Sequence, residues 1–202
     1  MDVLNPGEGV LAVKIARATI EAAVDCRTVS SPPLPPVFCE KRGVFVTIKR
    51  NGELRGCIGF PYPEQPLVSA VIQAAIYAAT EDPRFEPLSL REFNETVAVE
   101  VTVLTPPRVL ETNDRKALPS MVEVGRHGLV IEGKGTSGLL LPQVALEWKW
   151  DASEFLMNCC LKAGLPPDSW LLSDVRVKVF EGEIFGEAEP RGEVRRRPIG
   201  EA

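Results

Sequence analysis

Histidine and excess positive charge are both scarce in this sequence of 202 residues. The single histidine, His127, is accompanied by no C-x-x-C motif, so we predict no structural metal site. The net charge of −5 argues against a general nucleic-acid-binding protein, because such a protein needs a basic surface to displace counterions from phosphates. Composition alone therefore disfavours both a protein built around a structural metal and a general nucleic-acid-binding protein.

Long apolar runs are missing as well. No stretch of about 18 apolar residues occurs, so we expect no segment that spans a membrane. The start of the sequence, MDVLNPGEGVLAVK, lacks a basic segment followed by an apolar one, so we expect no secretory signal. The five cysteines are odd in number and irregularly spaced, which is typical of reduced thiols, and we expect a cytoplasmic protein. They are Cys26, Cys39, Cys57, Cys159 and Cys160.

Apolar periodicity predicts about three main helices. The first covers about residues 6–24 and the second about residues 66–81. The third begins after Asp151, which can cap it, with Glu154 at the capping-box position.

Alternating and β-branched residues predict six or more strands. GVFVTIKR and residues 54–60 form a hairpin about the turn Asn51-Gly52. The segment VRVKVFEGEIFGE is a closing strand or a hairpin, and the polar tail, residues 188–202, is expected to be frayed. Short connections favour antiparallel neighbours, so we predict an α+β fold, a compact single domain with a mostly antiparallel sheet.

The segment GLVIEGKG superficially matches the start of a phosphate-binding loop. Gly135 stands where that loop needs a hydroxyl residue to hold magnesium, and the interior LVIE is typical of a strand. We therefore predict a hairpin with a glycine-rich turn, and we expect no cofactor.

The stretch LRGCIG carries the strongest candidate for chemistry. Gly56 and Gly59 have no Cβ, so backbone or a ligand can approach closely there. Arg55 and Cys57 alternate to the same face of a strand, where a guanidinium would lower the pKa of the thiol and create a nucleophile. An inert cysteine in the core is the competing interpretation.

The register of the hairpin decides what surrounds Cys57. A two-residue loop pairs Cys57 with Val46, among apolar residues. A three-residue loop pairs it with Thr47, beside the more polar Lys49. The sequence leaves both registers open.

Four further polar residues are candidates for catalysis or binding. His127 would complete a thiol–imidazole couple as its base. Arg84 is an anion clamp or pairs locally with a carboxylate, while Asp82 accepts backbone amides in a turn. Glu100 lies within an alternating strand, where a carboxylate needs solvent or a partner. Gln143 could orient a ligand amide or cap the next helix.

Five blocks of this sequence, taken in order, resemble the AMMECR family. The resemblance covers about residues 8–187, and the run FPYPEQPL is more similar to prokaryotic members. The first block is the signature of the family. The blocks are LRGCIG (Leu54–Gly59), DPRF (Asp82–Phe85), GRHGL (Gly125–Leu129), GLLLPQVA (Gly138–Ala145) and KAGLP (Lys162–Pro166).

The resemblance implies a two-lobed α+β domain over residues 8–187, with the signature lining a cleft. It implies no particular reaction, because the family has no established biochemical activity. Prokaryotic members are often encoded beside Memo-like and radical-SAM proteins, which makes these two kinds of protein expected partners.

Two functional hypotheses and one structural one follow. In the first, a small ligand binds in the cleft or thiol chemistry occurs there, with Cys57 as nucleophile or ligand, Arg55 stabilising an anion or thiolate, and His127 as base. In the second, the protein is a non-enzymatic adaptor whose glycine-flanked strand docks a partner protein. In the third, the signature is only a packing knot between lobes.

Overall fold

The computed structural model describes residues 3–25 and 34–198, which divide into two units. Residues 3–25, 34–104 and 183–198 form the first unit, and residues 105–182 form the second. Cys26 and the last residues of the tail, 199–202, lie outside the described residues.

The described residues form helices and strands in alternating groups, together with three short 3₁₀ helices. The helices are α1 (Pro6–Val24), α2 (Leu67–Thr80), α3 (Leu90–Thr96), α4 (Leu118–Met121), α5 (Pro142–Glu147) and α6 (Ala152–Lys162). The strands are β1 (Gly43–Arg50), β2 (Glu53–Phe60), β3 (Val97–Leu104), β4 (Arg108–Val109), β5 (Gly128–Gly133), β6 (Thr136–Leu140), β7 (Arg176–Phe180), β8 (Gly182–Glu187) and β9 (Val194–Arg197). The 3₁₀ helices are Pro36–Cys39, Arg115–Ala117 and Ser169–Leu171.

The first unit is built on a five-stranded sheet in the order β2-β1-β3-β8-β9. Strand β1 pairs antiparallel with both β2 and β3, and β8 pairs antiparallel with β9. Alternate residues of β1 and β3 are buried in one core with α1 and α2, as the alternating sequence requires. The β1 contribution to that core is Val44, Val46 and Ile48.

The second unit has a four-stranded sheet in the order β4-β7-β5-β6, and its pairings are antiparallel. Helix α6 buries Phe155, Leu156, Cys159 and Cys160 in the core of this unit. Among the helices described, none has both the length and the apolar character that crossing a membrane requires. The predicted α+β class with antiparallel sheets is confirmed.

The two best-marked helices begin where their sequences predict. Asn5 and Glu8 form a reciprocal capping box at the start of α1, and Asp151 and Glu154 form another at the start of α6. Gly164 takes a positive φ of 74° just after α6, the left-handed conformation that ends a helix. Local side-chain chemistry therefore determines these helix boundaries.

The β1–β2 hairpin has a register that neither predicted loop length explains by itself. Asn51 and Gly52 both have positive φ, which is the conformation of a tight two-residue turn. A bulge then shifts the register after Lys49 pairs with Leu54, so that Arg55 is the extra residue. Cys57 consequently lies opposite Thr47, although the loop has two residues.

Two predictions about the end of the chain need correction. Strands β7 and β8 do not form a hairpin, because β7 belongs to the four-stranded sheet and β8 to the five-stranded sheet. The tail was expected to be frayed, yet β9 pairs with β8 over four residues. Ion pairs between its arginines and buried acids help to hold it, as in Arg196 with Glu183 at 2.6 Å.

Candidate functional site

Cys57 is a half-buried residue of β2, which lies at one edge of the five-stranded sheet. Its Sγ lies 3.2 Å from Oγ1 of Thr47, directly across the hairpin. Thr47 in turn lies opposite Glu100 on β3, so a thiol, a hydroxyl and a carboxylate occupy one row across three strands. Adjacent strands in register place such side chains on the same face of the sheet.

Two side chains bind the backbone of Cys57 on its other side, at the outer edge of the sheet. The N–H of Cys57 donates to Oδ2 of Asp82 at 2.8 Å, and Nη2 of Arg84 donates to the Cys57 carbonyl oxygen at 3.2 Å. Arg84 also donates to Asp82 through Nε at 2.9 Å and Nη2 at 2.7 Å. We call Asp82 and Arg84 the edge clip.

The edge clip combines a buried acid with a half-exposed base. The side chain of Asp82 is 2% exposed and that of Arg84 is 52% exposed. Hydrogen bonds from the Arg84 guanidinium hold the pKa of Asp82 far below its usual range, so this carboxyl is ionised at neutral pH. The hydrogen bonds that Arg84 donates to Asp82 also raise the pKa of Arg84. The local pairing predicted for these two residues is present, and it extends to the backbone of Cys57.

The thiol of Cys57 is less acidic than an ordinary cysteine. Burial raises its pKa, while the hydrogen bond with Thr47 and the charge of Arg84 oppose that rise. The sequence predicted that Arg55 would stabilise a thiolate, but the guanidinium that acts on this thiol is that of Arg84. The negative charges of Asp82 and Glu100 raise the pKa of Cys57 further.

We expect iodoacetamide to alkylate Cys57 slowly at neutral pH, because most of its thiol stays protonated. The rate should rise with pH to a midpoint above the usual thiol value of about 8.5. Peptide mass spectrometry of the folded protein measures the rate at each cysteine, and exposed Cys39 serves as the internal reference.

Thr47→Val is the matched variant for this measurement. It removes a hydrogen bond that lowers the pKa of Cys57. The pH midpoint of Cys57 alkylation should therefore be higher in Thr47→Val than in the unchanged protein. Faster alkylation of Cys57 than of Cys39 at pH 7 would contradict this expectation and would favour a reactive thiol.

Arg55, the extra residue of the bulge, binds an acid that lies distant in sequence. Its Nε donates to Oε1 of Glu92 at 2.7 Å, and its Nη2 donates to Oε2 of Glu92 at 3.1 Å and to the carbonyl oxygen of Glu86 at 2.9 Å. Arg50 donates to the same Glu92 at 3.2 Å. These arginines, Arg55 first, lower the pKa of Glu92.

An open pocket of about 440 Å³ lies beside these groups. Two guanidiniums lie near the ring of Phe85. That of Arg84 is 5.5 Å from the ring centre, and that of Arg55 is 5.7 Å from it. Such distances fall within the range of cation–π attraction. The pocket is lined by Arg50, Glu53, Leu54, Arg55, Arg84, Phe85 and Glu86.

The two signature glycines are surrounded by the protein itself. A Cβ at Gly56 would lie 2.2 Å from the carbonyl oxygen of Ala78 on α2. A Cβ at Gly59 would lie 2.3 Å from the ring of Phe45 and 2.4 Å from the carbonyl oxygen of Val44. The space that these glycines create is therefore occupied by neighbouring parts of the same unit, which is the close approach of backbone that the sequence allowed, and a role for them in ligand binding stays a prediction.

Two further candidates, Glu100 and Gln143, lie in different units. Glu100 lies 3.5 Å from Nζ of Lys49 and 3.8 Å from Nη1 of Arg197. Gln143 belongs to the first turn of α5, in the second unit. It caps neither α5, which has no side-chain cap, nor α6, which Asp151 caps, and its role in orienting a ligand stays a prediction.

His127 also lies in the second unit, just before β5. Its Nδ1 accepts the N–H of Glu123 at 3.0 Å, and its Nε2 lies 3.9 Å from Glu181. Burial, followed by the charge of Arg108, lowers its pKa, so the imidazole is neutral at pH 7. Cys57 belongs to the first unit, and a Cys57–His127 couple stays a prediction.

The sequence interpretation missed Glu92, which anchors both Arg50 and Arg55. A signal was available, because Ser89 and Glu92 have capping-box spacing, and Ser89 does cap α3. That spacing predicts a helix start, but it gives no hint that the Glu92 carboxylate turns to two arginines of the hairpin. Within the described ranges, no three His, Cys, Asp or Glu side chains cluster in a way that could hold a metal ion.

The fold and this site define an α+β protein with antiparallel sheets whose signature strand is bound at its outer edge by an aspartate–arginine pair. Comparison with known proteins then gives the family. The AMMECR1 family model matches residues 13–185, and the chain belongs to this family.

Several archaeal proteins are similar to the chain over nearly its whole length. Protein PF1979 of Pyrococcus furiosus is 51% identical over 198 residues, which covers 95% of this chain and 93% of that protein. Protein MK0488 of Methanopyrus kandleri is 48% identical over 197 residues, covering 96% and 95%. The crystal structure of the uncharacterized protein PH0010 from Pyrococcus horikoshii matches with a TM-score of 0.82 and 48% identity, over 98% of this chain and all of that one.

Proposed function

We propose that this protein binds a small anionic ligand, a carboxylate or a phosphate monoester, in the pocket beside the signature strand. One observation carries the proposal: the half-exposed side chains of Arg50 and Arg84 line the pocket, while partly buried Glu92 orients the first and buried Asp82 orients the second. Guanidinium groups match carboxylate and phosphate oxygens in geometry and charge.

Both guanidiniums keep donors for a ligand. Arg84 uses Nε and Nη2 for the edge clip, and Arg50 uses Nη1 for Glu92. Within the described residues, no hydrogen bond engages Nη1 of Arg84 or Nη2 of Arg50. Because Glu92 and Asp82 already hold the two side chains, binding an anion costs less rotamer entropy than it would at free surface arginines.

The rest of the pocket limits the kind of anion. Glu53 and Glu86 are exposed and line the pocket, so their like charges disfavour a ligand with several negative charges. Phe85 offers an apolar surface next to the guanidiniums. A compact ligand with one anionic group and an apolar or aromatic part fits this combination best.

We expect benzoate, and inorganic phosphate more weakly, to shift the backbone amide resonances of residues 53–57 and 84–86 in a titration followed by NMR. Arg84→Gln should weaken benzoate binding about 10-fold or more, because a hydrogen bond to a charged group contributes about 1.5–3 kcal/mol. Arg50→Gln should weaken it as well while leaving the contacts of Cys57 unchanged.

Arg91→Gln is the matched control, because Arg91 is an exposed arginine of α3 whose one ion pair among the residues described is with Glu95 on its own helix. The dissociation constant of benzoate from Arg91→Gln should stay within about twofold of the value for the unchanged protein. Benzoate shifts that persist in both Arg50→Gln and Arg84→Gln, or that occur only elsewhere in the chain, would refute the pocket as the binding site.

Thiol chemistry at Cys57, which lies on the signature strand but is not among the residues that line the pocket, is the weaker proposal. A neutral Cys57 thiol can contact a ligand or donate a hydrogen bond, and it becomes a nucleophile only when a base or a change in its surroundings removes the proton. Memo-like and radical-SAM partners stay predictions, and a ligand site beside the signature is compatible with them.

A further inference from the structure

Three charged side chains of the first unit approach one another without closing into hydrogen bonds. Nζ of Lys49 and Nη1 of Arg197 lie 3.5 Å and 3.8 Å from the same oxygen, Oε2 of Glu100. Hydrogen bonds between such charged groups normally measure about 2.7–2.9 Å. Within the described residues, no hydrogen bond engages the Lys49 ammonium, Nη1 of Arg197 or either carboxylate oxygen of Glu100. We call these three residues the open cluster.

A lysine–glutamate pair in the second unit shows that such a pair can close. Lys178 and Glu132 lie diagonally on adjacent antiparallel strands, as Lys49 and Glu100 do, since each lysine lies two residues beyond the residue opposite the glutamate. Nζ of Lys178 nevertheless donates to Glu132 at 2.6 Å. Both pairs are mostly buried, so burial does not explain the difference. The unused donors and acceptors of the open cluster are therefore available to a ligand.

The open cluster lies on the face of the five-stranded sheet opposite α1 and α2. Thr47, Lys49 and Glu100 alternate along β1 and β3 with the buried apolar residues that pack against those helices. Gly186 of β8 presents bare backbone beside the acid, because a Cβ there would lie 3.3 Å from Oε2 of Glu100. A compact ligand at this face can thus contact both charges and backbone, with the row of Thr47 and Cys57 next to it.

We infer that the open cluster binds a compact zwitterion of the α-amino-acid type, with its carboxylate between Lys49 and Arg197 and its ammonium on Glu100. A simple anion would meet the two bases but also the like charge of Glu100, and a simple cation would be repelled by both bases. A zwitterion satisfies the donors of the bases and the acceptors of the acid together. The inference involves none of the residues that line the pocket proposed for the anionic ligand, so it does not depend on that pocket.

Glycine, acetate and methylammonium are matched probes, because acetate and methylammonium each carry one of the two charges of glycine. We expect glycine to shift the amide resonances of residues 47, 49, 100 and 186 in an NMR titration of the unchanged chain, with a dissociation constant on the order of 1 mM. Acetate and methylammonium should bind at these residues about 10-fold more weakly, because each lacks a hydrogen bond to a charged group. If either binds there as tightly as glycine, or if glycine shifts none of these residues, the inference is overturned.

Glu100→Gln should change the preference of the site, because it keeps the shape of the side chain and removes its charge. Glycine should bind to this variant about 10-fold more weakly, while acetate should bind more tightly than it does to the unchanged chain. A purely structural role of Glu100 would not move the two probes in opposite directions, and parallel changes would contradict the inference. The comparison of the three probes uses the unchanged chain, so it stands even if this variant fails to fold.

Glu132→Gln is the matched control, because Glu132 belongs to the closed pair in the second unit. It should leave the dissociation constant of glycine within about twofold of the value for the unchanged chain. Arg84→Gln, which is expected to weaken benzoate binding, should leave glycine binding unchanged as well. The failure of one site can therefore be told apart from the failure of the other. A loss of glycine binding in Glu132→Gln would place the glycine site elsewhere and refute the open cluster.

Discussion

Replacing Glu187 with alanine is expected to lower the free energy of unfolding by about 3–5 kcal/mol, because it leaves the buried guanidinium of Arg17 without its acid. Both Nε and Nη2 of Arg17 donate to Glu187, and the side chains are 10% and 4% exposed. Glu187 also accepts the N–H of Val99 at 2.9 Å, so the substitution removes a hydrogen bond from β3. Urea unfolding followed by circular dichroism measures the loss.

The size of this effect depends on burial, and an exposed ion pair supplies the comparison. Arg91 and Glu95 form an i,i+4 pair on α3 with mostly exposed side chains, so Glu95→Ala should change the free energy of unfolding by less than about 0.5 kcal/mol. Arg17→Met combined with Glu187→Leu should recover much of the loss, because it removes both charges together. A loss below about 1 kcal/mol for Glu187→Ala would contradict the importance of the buried pair.

Local sequence chemistry was sufficient to predict the elements that carry their own boundary signals. Helix α1 was predicted from its apolar spacing over about the residues that form it, and Asn51-Gly52 marked the hairpin turn. The capping box at Asp151 marked the start of α6. In each case the decisive interactions join residues that are close in the chain.

Elements that depend on distant partners were beyond this kind of prediction. No residue type marks Arg55 as the extra residue of a bulge, because the bulge follows from the pairing of the strands. Strand β9 has too few apolar residues to be noticed, and pairing with β8 stabilises it. Strands β7 and β8 are adjacent in the sequence, yet only the tertiary fold separates them into two sheets.

The candidate site was predictable in some of its members, Glu92 excepted, but not in their connections. Arg84, Cys57 and Arg55 were all named from the sequence. Asp82 binds the backbone of a residue 25 positions away, and the acid that pairs with Arg55 lies 37 positions away, so neither contact follows from local spacing. The direction of the Cys57 pKa shift depends on burial, which the tertiary structure determines.

Gly56→Ala is expected to lower the free energy of unfolding by about 1–3 kcal/mol, as overfilling of a packed contact does. The new Cβ would lie 2.2 Å from the carbonyl oxygen of Ala78, a backbone atom of α2 that cannot rotate away. Alanine would otherwise stabilise a strand relative to glycine by about 0.5–1 kcal/mol, so the measured loss understates the clash.

Gly186→Ala in β8 of the same sheet is the control for this substitution. Its nearest atoms belong to the side chains of Arg197 and Glu100 at 3.3 Å, and these can move, so we expect no loss of stability. Urea unfolding of both variants makes the comparison. Equal stability of the two variants would mean that α2 can shift away from β2, and Gly56 would then have to be explained by something other than packing against the helix.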